Sequence, residues 1–332
     1  MASEPAKVGQ VKNPEVVVRP LELKHLAAAD QVFRLAFGTF LGLPDPAQFN
    51  GDADFVRSRW RADPKAVFAA EIDGELVGSN FATNWGSFGF FGPLTVRPDL
   101  WDRGIAKRLL EPTMALFETW GTKHRGLFTF AHSPKHVGLY QKFGFWPRHL
   151  TPVMQRPVSP DTKTPDAKTR GWSKLSDVAS RDRTSSVAAC KEVTDEIFAG
   201  LNVEREILAV VDQGLGDVVL LEGNGKLAGF AVCHCGVGSE AGSGTCYIKF
   251  GAVRPGRRAA DDFDRLLDAC AVLAAERKAA RVLAGVNAGR AEAYRQMLER
   301  GFRTEYQGVA METGSPGSGY NHPGVFVIDD WR

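Results

Sequence analysis

A duplication constrains this chain more than any other feature. Asp73-Gly74-Glu75-Leu76-Val77-Gly78 recurs as Asn224-Gly225-Lys226-Leu227-Ala228-Gly229, displaced by 151 residues. Val96-Arg97-Pro98 recurs as Val253-Arg254-Pro255, Gly144-Phe145 as Gly301-Phe302, and Val153-Met154 as Ala310-Met311, all displaced by 157. The displacement changes within the Gly-rich stretch 236–244, where a loop absorbs extra residues at small entropic cost. A length of 332 residues exceeds what one ordinary core needs, and the repeat says how it is divided. We expect a flexible tail over 1–14, a first domain over 15–154, a Pro-rich linker over 155–169, a second domain over 170–312 and a tail over 313–332.

Composition narrows the function classes. Lys plus Arg number 41 against 39 for Asp plus Glu, a formal charge of +2, so bulk charge gives no hold on nucleic acid. No apolar run approaches a membrane span, and Met1-Ala2-Ser3-Glu4-Pro5 lacks the layout of a secretion signal. Five cysteines without an export signal fit a reducing cytoplasm rather than a disulfide framework. Cys233, Cys235 and Cys246 lack a fourth ligand at zinc spacing and read as small core residues, so no metal is expected.

The first copy alternates its periods. Helical patterns cover 25–40 and 52–60, and strands cover 66–72 and 75–85, joined by the tight-turn pair Asp73-Gly74. A strand over 90–96, a helix over 104–121, a strand over 126–131, a short helix over 134–143 and a strand from Phe145 complete the unit. The fold class expected is α/β in the α+β sense: two tandem domains, each a mixed, mostly antiparallel sheet flanked by helices. Residues 325–328 read as a strand added at a sheet edge.

Chemistry concentrates where the strand ending at Val96 passes through a turn into a helix beginning with the small residues Gly104 and Ala106. Small residues let a ligand approach the backbone, and the free amides of a helix's first turn attract anions. Arg97, Arg103, Lys107 and Arg108 surround the turn, which makes it a candidate pyrophosphate cradle. The same pattern also fits a capped amphipathic helix with a solvated basic face.

Three landmarks in order, Val96-Arg97-Pro98, Gly104-Ile105-Ala106 and Leu139-Tyr140-Gln141-Lys142-Phe143-Gly144-Phe145, resemble the GNAT acyltransferase superfamily. The resemblance covers about 15–154 and, weakly, 170–312, so the whole resembles a tandem GNAT protein. It implies acetyl-CoA or another acyl-CoA as cosubstrate, its pyrophosphate held by Trp101, Asp102, Arg103, Gly104, Ile105, Ala106 and Lys107. It also implies a thioester carbonyl polarised by the backbone around Leu94, Thr95 and Val96, and Tyr140 as the acid that protonates the departing thiolate. Trp101 departs from the Gln or Arg that usually opens the phosphate motif. The strand over 90–96 carries no glutamate base. His132, with Ser133, lies where the acyl group should arrive and is the candidate base, though either residue also suits a helix cap. Phe37 and Phe40, with Trp85 and Phe90, are candidates to line the acceptor pocket.

The second copy departs at the same places. Asp261, Asp262 and Phe263 stand where Gly104, Ile105 and Ala106 stand in the first, and Met297 replaces Tyr140. That half is expected to be a GNAT fold without a CoA site, serving to pack on the first, to complete its acceptor pocket or to form a homodimer. The favoured function is transfer of an acyl group, most simply acetyl, from acyl-CoA to the amine of a small molecule. The missing glutamate leaves room for O-acyl transfer or acyl-CoA decarboxylation through His132. An acyl-CoA sensor without turnover is the rival, against which Tyr140 argues.

Overall fold

The computed structural model describes residues 15–159, 162 and 171–332. Its first half runs β1 (Val16–Pro20), α1 (Leu26–Phe40), α2 (Phe55–Ala62), β2 (Val67–Ile72), β3 (Glu75–Trp85), β4 (Phe88–Val96), α3 (Ile105–Trp120), β5 (His124–Thr129), α4 (Pro134–Gln141) and β6 (Trp146–Pro157). The second half runs β7 (Trp172–Lys174), α5 (Ser180–Ile197), α6 (Glu204–Asp212), β8 (Gly216–Glu222), β9 (Leu227–Gly236), β10 (Gly242–Val253), α7 (Ala259–Glu276), β11 (Arg281–Gly285), α8 (Ala291–Glu299), β12 (Arg303–Glu312) and the short β13 (Val327–Ile328). The expected tail over 1–14 lies outside the described residues, as do 160–161 and 163–169 of the expected linker and residue 170. The start of that linker is strand instead, because β6 continues through Pro157 against β11.

Local chemistry explains the boundaries. Asp73 and Gly74 both take positive φ, the backbone that a two-residue hairpin between β2 and β3 requires. Asp54 and Ser133 accept amide hydrogen bonds at the starts of α2 and α4, and Gly121, left-handed at φ 65°, closes α3.

The strands of the described residues form one 13-stranded sheet, in the order β1-β2-β3-β4-β5-β12-β6-β11-β10-β9-β8-β7, with β13 on β10. Tandem domains with separate sheets would keep β6 beside β5 and β12 beside β11. The structure exchanges them: β12 pairs with β5, and β6 pairs with β11. Between the exchanged strands Thr151 faces Gly308, its own repeat mate, while Val153 faces Tyr306 and His149 faces Ala310. Each pair mirrors the other about that midpoint, so a local two-fold relates the halves through Thr151 and Gly308. The outer pairings obey it too, since Met311 opposite Leu127 repeats Met154 opposite Ala284.

The seam is both apolar and charged. Trp85, Phe88 and Phe90 of the first half pack with Phe230, Phe250, Tyr320 and Trp331 of the second in one core. Beside them Arg59, almost fully buried, donates to both Glu240 oxygens, at 3.0 and 2.7 Å. Lys249 bridges Glu240 at 2.6 Å and Glu206 at 2.9 Å, and Trp85 Nε1 donates to Glu206 at 3.2 Å. Burial alone would raise Glu240, but Arg59 and Lys249 hold it well below the usual carboxylate range. Such a network fixes orientation more than it adds net stability. Burial pushes the neighbouring His234 down to about 4.

Two outcomes follow from this seam. A Cβ on Gly308 would sit 2.4 Å from the Phe128 ring and 2.5 Å from the Thr129 carbonyl oxygen. Gly308→Ala should therefore cost about 1–3 kcal/mol, by denaturant titration, with secondary structure and tryptophan fluorescence lost in one transition. Loss in two separate steps would contradict a shared sheet. His234 is neutral when folded and titrates near 6.5 when unfolded, so the unfolded chain binds the extra proton between these values. Stability should accordingly fall by up to about 3 kcal/mol from pH 6.5 to 4, and His234→Asn should flatten that slope.

Candidate active site

The site begins where two strands part. β4 and β5 run parallel only over Phe88–Phe90 against His124–Gly126, and beyond that β4 keeps β3 alone as neighbour. Arg97 N–H donates to Val77 O, so strand alternation turns the amides of Leu94 and Val96 to the open side. The opening is a cleft of about 1240 Å³, lined by Leu94, Thr95 and Val96, by 128–130, and by residues of α1, the turn before α3, and α4.

At one end lies the turn before α3. Trp101 Nε1 donates to Val96 O at 2.8 Å, folding the turn back onto the strand end. Lys135 of α4 pairs with Asp102 at 2.8 Å and lies over the Trp101 ring, so it ties the far wall to the turn. Gly104 caps α3 with φ 77°, a conformation that favours glycine, and a Cβ there would meet only open space. The first turn of α3 thus presents free amides to an uncluttered approach, with Lys107 and Lys142 also on the cleft. Of the residues expected to hold a pyrophosphate, Trp101, Asp102, Gly104, Ile105, Ala106 and Lys107 line it. Arg103 is exposed and does not line it, and Arg97 is engaged by Asp99 and Glu75. The open αL cap, free amides and lysines fit a pyrophosphate.

Tyr140 stands mid-cleft on α4, edge-on to Phe91 at 5.6 Å between ring centres. Burial raises its phenol well above the ordinary value, and a hydrogen bond with Thr129 only partly opposes this. It remains a proton-bearing donor across neutral pH. Phe37 and Phe40 line the cleft in a cluster with Phe33, Phe49 and Phe130. His132 is exposed on the same wall, stacked on Phe40 at 5.7 Å. Burial, then Lys135 and His132, lower His136 beside it.

Three predicted site residues stand elsewhere. Trp85 and Phe90 do not line the cleft: they are buried in the seam, where the Trp85 ring meets Phe90 and Phe250. Trp85 on β3 stands opposite Phe88 on β4, and alternation places Phe88 and Phe90 on the same face, turned away from the opening. Ser133 is a buried helix cap whose Oγ accepts from His136 N–H. Conversely Tyr306, Gln307 and Arg332 of the second half line this cleft, and no local motif marks them. Only the strand exchange brings β12 to this wall.

The matching groove of the second half is filled. Segment 325–328 was expected at a sheet edge, but β13 pairs with Gly251 and Ala252 on the side of β10 where the cleft would open. Val253 N–H, counterpart of the open Val96 amide, donates to Phe326 O. Phe263, counterpart of Ala106, packs on Phe326 at 5.4 Å, and Met297 is fully buried in the core. Asp262 is tied to Arg265 at 2.8 Å. Arg290, fully buried, clamps the segment through Asn321, Val327 O and Asp329.

Residues 30–145 match the sequence model of the Acetyltransferase (GNAT) family. The whole fold is similar to a protein from Pyrococcus horikoshii assigned as an acetyltransferase, with TM-score 0.66, 15% identity, and coverage of 98% of this chain and 99% of that one. It is also similar to a GCN5-related N-acetyltransferase from Sphaerobacter thermophilus, with TM-score 0.57, 17% identity, and coverage of 92% and 98%. A tandem GNAT protein from the clavulanic acid biosynthesis pathway matches with TM-score 0.54 and 14% identity over 90% of this chain and 98% of that one. The sequence matches none of the curated proteins compared with it. No helix among the described residues is long and apolar enough to cross a membrane.

A carboxylate at the mouth of α3 should repel an incoming diphosphate. Gly104→Asp is expected to weaken CoA binding by roughly tenfold or more, about 1.4 kcal/mol, by calorimetry on the folded variant. Unchanged affinity would mean that the diphosphate docks elsewhere.

Proposed function

We propose, for a chain whose residues 30–145 are an acetyltransferase (GNAT) family domain followed by a second half of GNAT fold, an acyl-CoA-dependent N-acyltransferase. The observation that carries this reading is the contrast between two related grooves. One is open, with a phosphate-binding turn, free strand amides and Tyr140; in the other each of these features is replaced or covered.

In this reading the diphosphate of acetyl-CoA, or of another acyl-CoA, rests on the first turn of α3. Its pantetheine arm extends along the free side of β4, and the thioester oxygen accepts from an amide among Leu94–Val96. A small-molecule amine enters over Phe37 and Phe40. Its nitrogen lone pair attacks the thioester carbon while both reactants are bound, forming the C–N bond. Collapse of the tetrahedral adduct breaks the C–S bond. Tyr140 donates its hydrogen bond to the sulfur as negative charge gathers there. Because burial holds the phenol proton tightly, proton delivery is balanced by the proton that the attacking nitrogen loses. His132, exposed at the acceptor wall, receives that proton directly or through water. A lone polar side chain suffices because nitrogen is already nucleophilic once neutral. The second half serves as a wall of the acceptor site.

Tyr140→Phe should lower kcat by about 10–100-fold while leaving KM for acyl-CoA within about twofold, measured by release of the CoA thiol. In the wild type, kcat should show no alkaline fall from Tyr140 up to about pH 10, since its proton stays bound there. An unchanged kcat in Tyr140→Phe would remove the phenol from the chemistry.

A further inference from the structure

The acceptor end of the open cleft contains a cation that the proposed chemistry has not used. Beyond β13 the chain crosses from the second half to the first. Trp331 packs on Phe88 at 4.7 Å, and Arg59 Nη2 donates to the Arg332 main-chain oxygen. Arg59 also donates to Gly92 O at 2.6 Å, on β4 where the cleft opens. One buried guanidinium therefore pins Arg332 to the strand that forms the cleft.

The Arg332 side chain is held in one posture. Its guanidinium lies over the Tyr247 ring at 4.3 Å, and Nε is 3.0 Å from Asp330 Oδ2. Asp330 is in turn fixed by the Tyr247 hydroxyl, which donates to its other oxygen at 3.0 Å. On the opposite side Nη1 donates to the Tyr306 hydroxyl, and Tyr306 is partly exposed on the cleft. An arginine stacked on one ring and anchored by a buried carboxylate, whose buried Nη2 has no hydrogen-bond partner, on a residue that lines the cleft, is suited to receive an anion. The surroundings agree. Among the described residues lining the cleft Asp102 carries the one acidic side chain, and Lys135 pairs with it at the other end. Between Arg332 and the phosphate-binding turn the walls are largely aromatic.

Resting on the transferase reading above, we propose that the acceptor is an amine that itself carries a carboxylate on an apolar body, an amino acid or close analogue. Its carboxylate docks on Arg332 and the Tyr306 hydroxyl, its apolar part lies against Phe37 and Phe40, and its amine reaches the thioester. A polyamine is disfavoured, since among the described residues no acidic side chain lines the cleft at this end and Arg332 repels it. Arg332 thus acts as a specificity residue that the second half lends to the first.

The test is acetyl-CoA turnover with matched pairs, phenylalanine against phenethylamine and leucine against isopentylamine. The amino acids should be preferred in kcat/KM by roughly tenfold or more. Arg332→Gln should bring that ratio to within about twofold through KM for the acid, with acetyl-CoA affinity unchanged. Tyr306→Phe alters a side chain at the surface and should lower the ratio several-fold without unfolding the segment around Arg332, checked by its melting temperature. Preference for the amines lacking a carboxylate would overturn the proposal, as would a ratio untouched by both variants. Should acetyl-CoA bind and no member of either pair be acetylated, the acceptor class is wrong and the CoA site stands. Should acetyl-CoA fail to bind, the transferase reading falls and this proposal with it.

Discussion

The pairing of β6 with β12 about Thr151 and Gly308 is the constraint on which the rest of the molecule depends. Strand β5 in the first half and β11 in the second each need a neighbour on their outer side, and buried backbone groups left without one are costly. Each half supplies that neighbour to the other. The exchange makes the sheet continuous and makes the two cores interdependent. It also decides which residues meet at the open cleft. Tyr306 and Gln307 reach its wall because β12 lies beside β5, a position that β6 would hold without the exchange.

The same backbone logic explains why one groove is open and the other filled. Where β4 and β5 part, one side of β4 is left with free amides at Leu94 and Val96, an arrangement suited to an extended polar ligand. Where β10 and β11 part, residues 325–328 take that position permanently, and Phe326 O satisfies the Val253 amide. Phe263, Met297 and Phe326 fill the volume that a ligand would otherwise enter. The second groove is therefore a socket. By gripping the segment with Arg290, it holds the chain that goes on to place Trp331 and Arg332 against the first half. The filled groove of one copy and the completed wall of the open cleft in the other are two results of the same packing.

Much of this was legible in the sequence because it is encoded locally. The repeat, the Asp73-Gly74 hairpin, the glycine that opens α3 and Tyr140 on α4 each need only neighbours in the chain to be read. What escaped depends on contacts across the sheet. Alternation makes Phe90 and Phe91 face opposite sides, and only the observed pairing tells that Phe91 lines the cleft while Phe90 and Trp85 lie in the seam. The strand exchange leaves no trace in composition, because β6 and β12 are repeat mates and either pattern fits either place. The short strand β1 was missed because it lies at the edge with only β2 beside it. Arg332 carried no signal at all, since its role arises from where the plugged groove delivers it.

The near-neutral total charge can now be resolved into places. Lys107 and Lys142 stand at one end of the cleft and Arg332 at the other, with aromatic rings and strand amides between. The seam behind holds Arg59 and Lys249 against Glu240 and Glu206, charges that neutralise each other out of water. Positive charge at each end and an uncharged middle suit the proposed transfer, in which the attacking amine must be neutral and the electrophile is an uncharged thioester. In the proposed transfer, a carboxylate in the middle would hold the amine as an ammonium and so slow its attack. Positive charge confined to the ends can orient both reactants without acting on the bond being made.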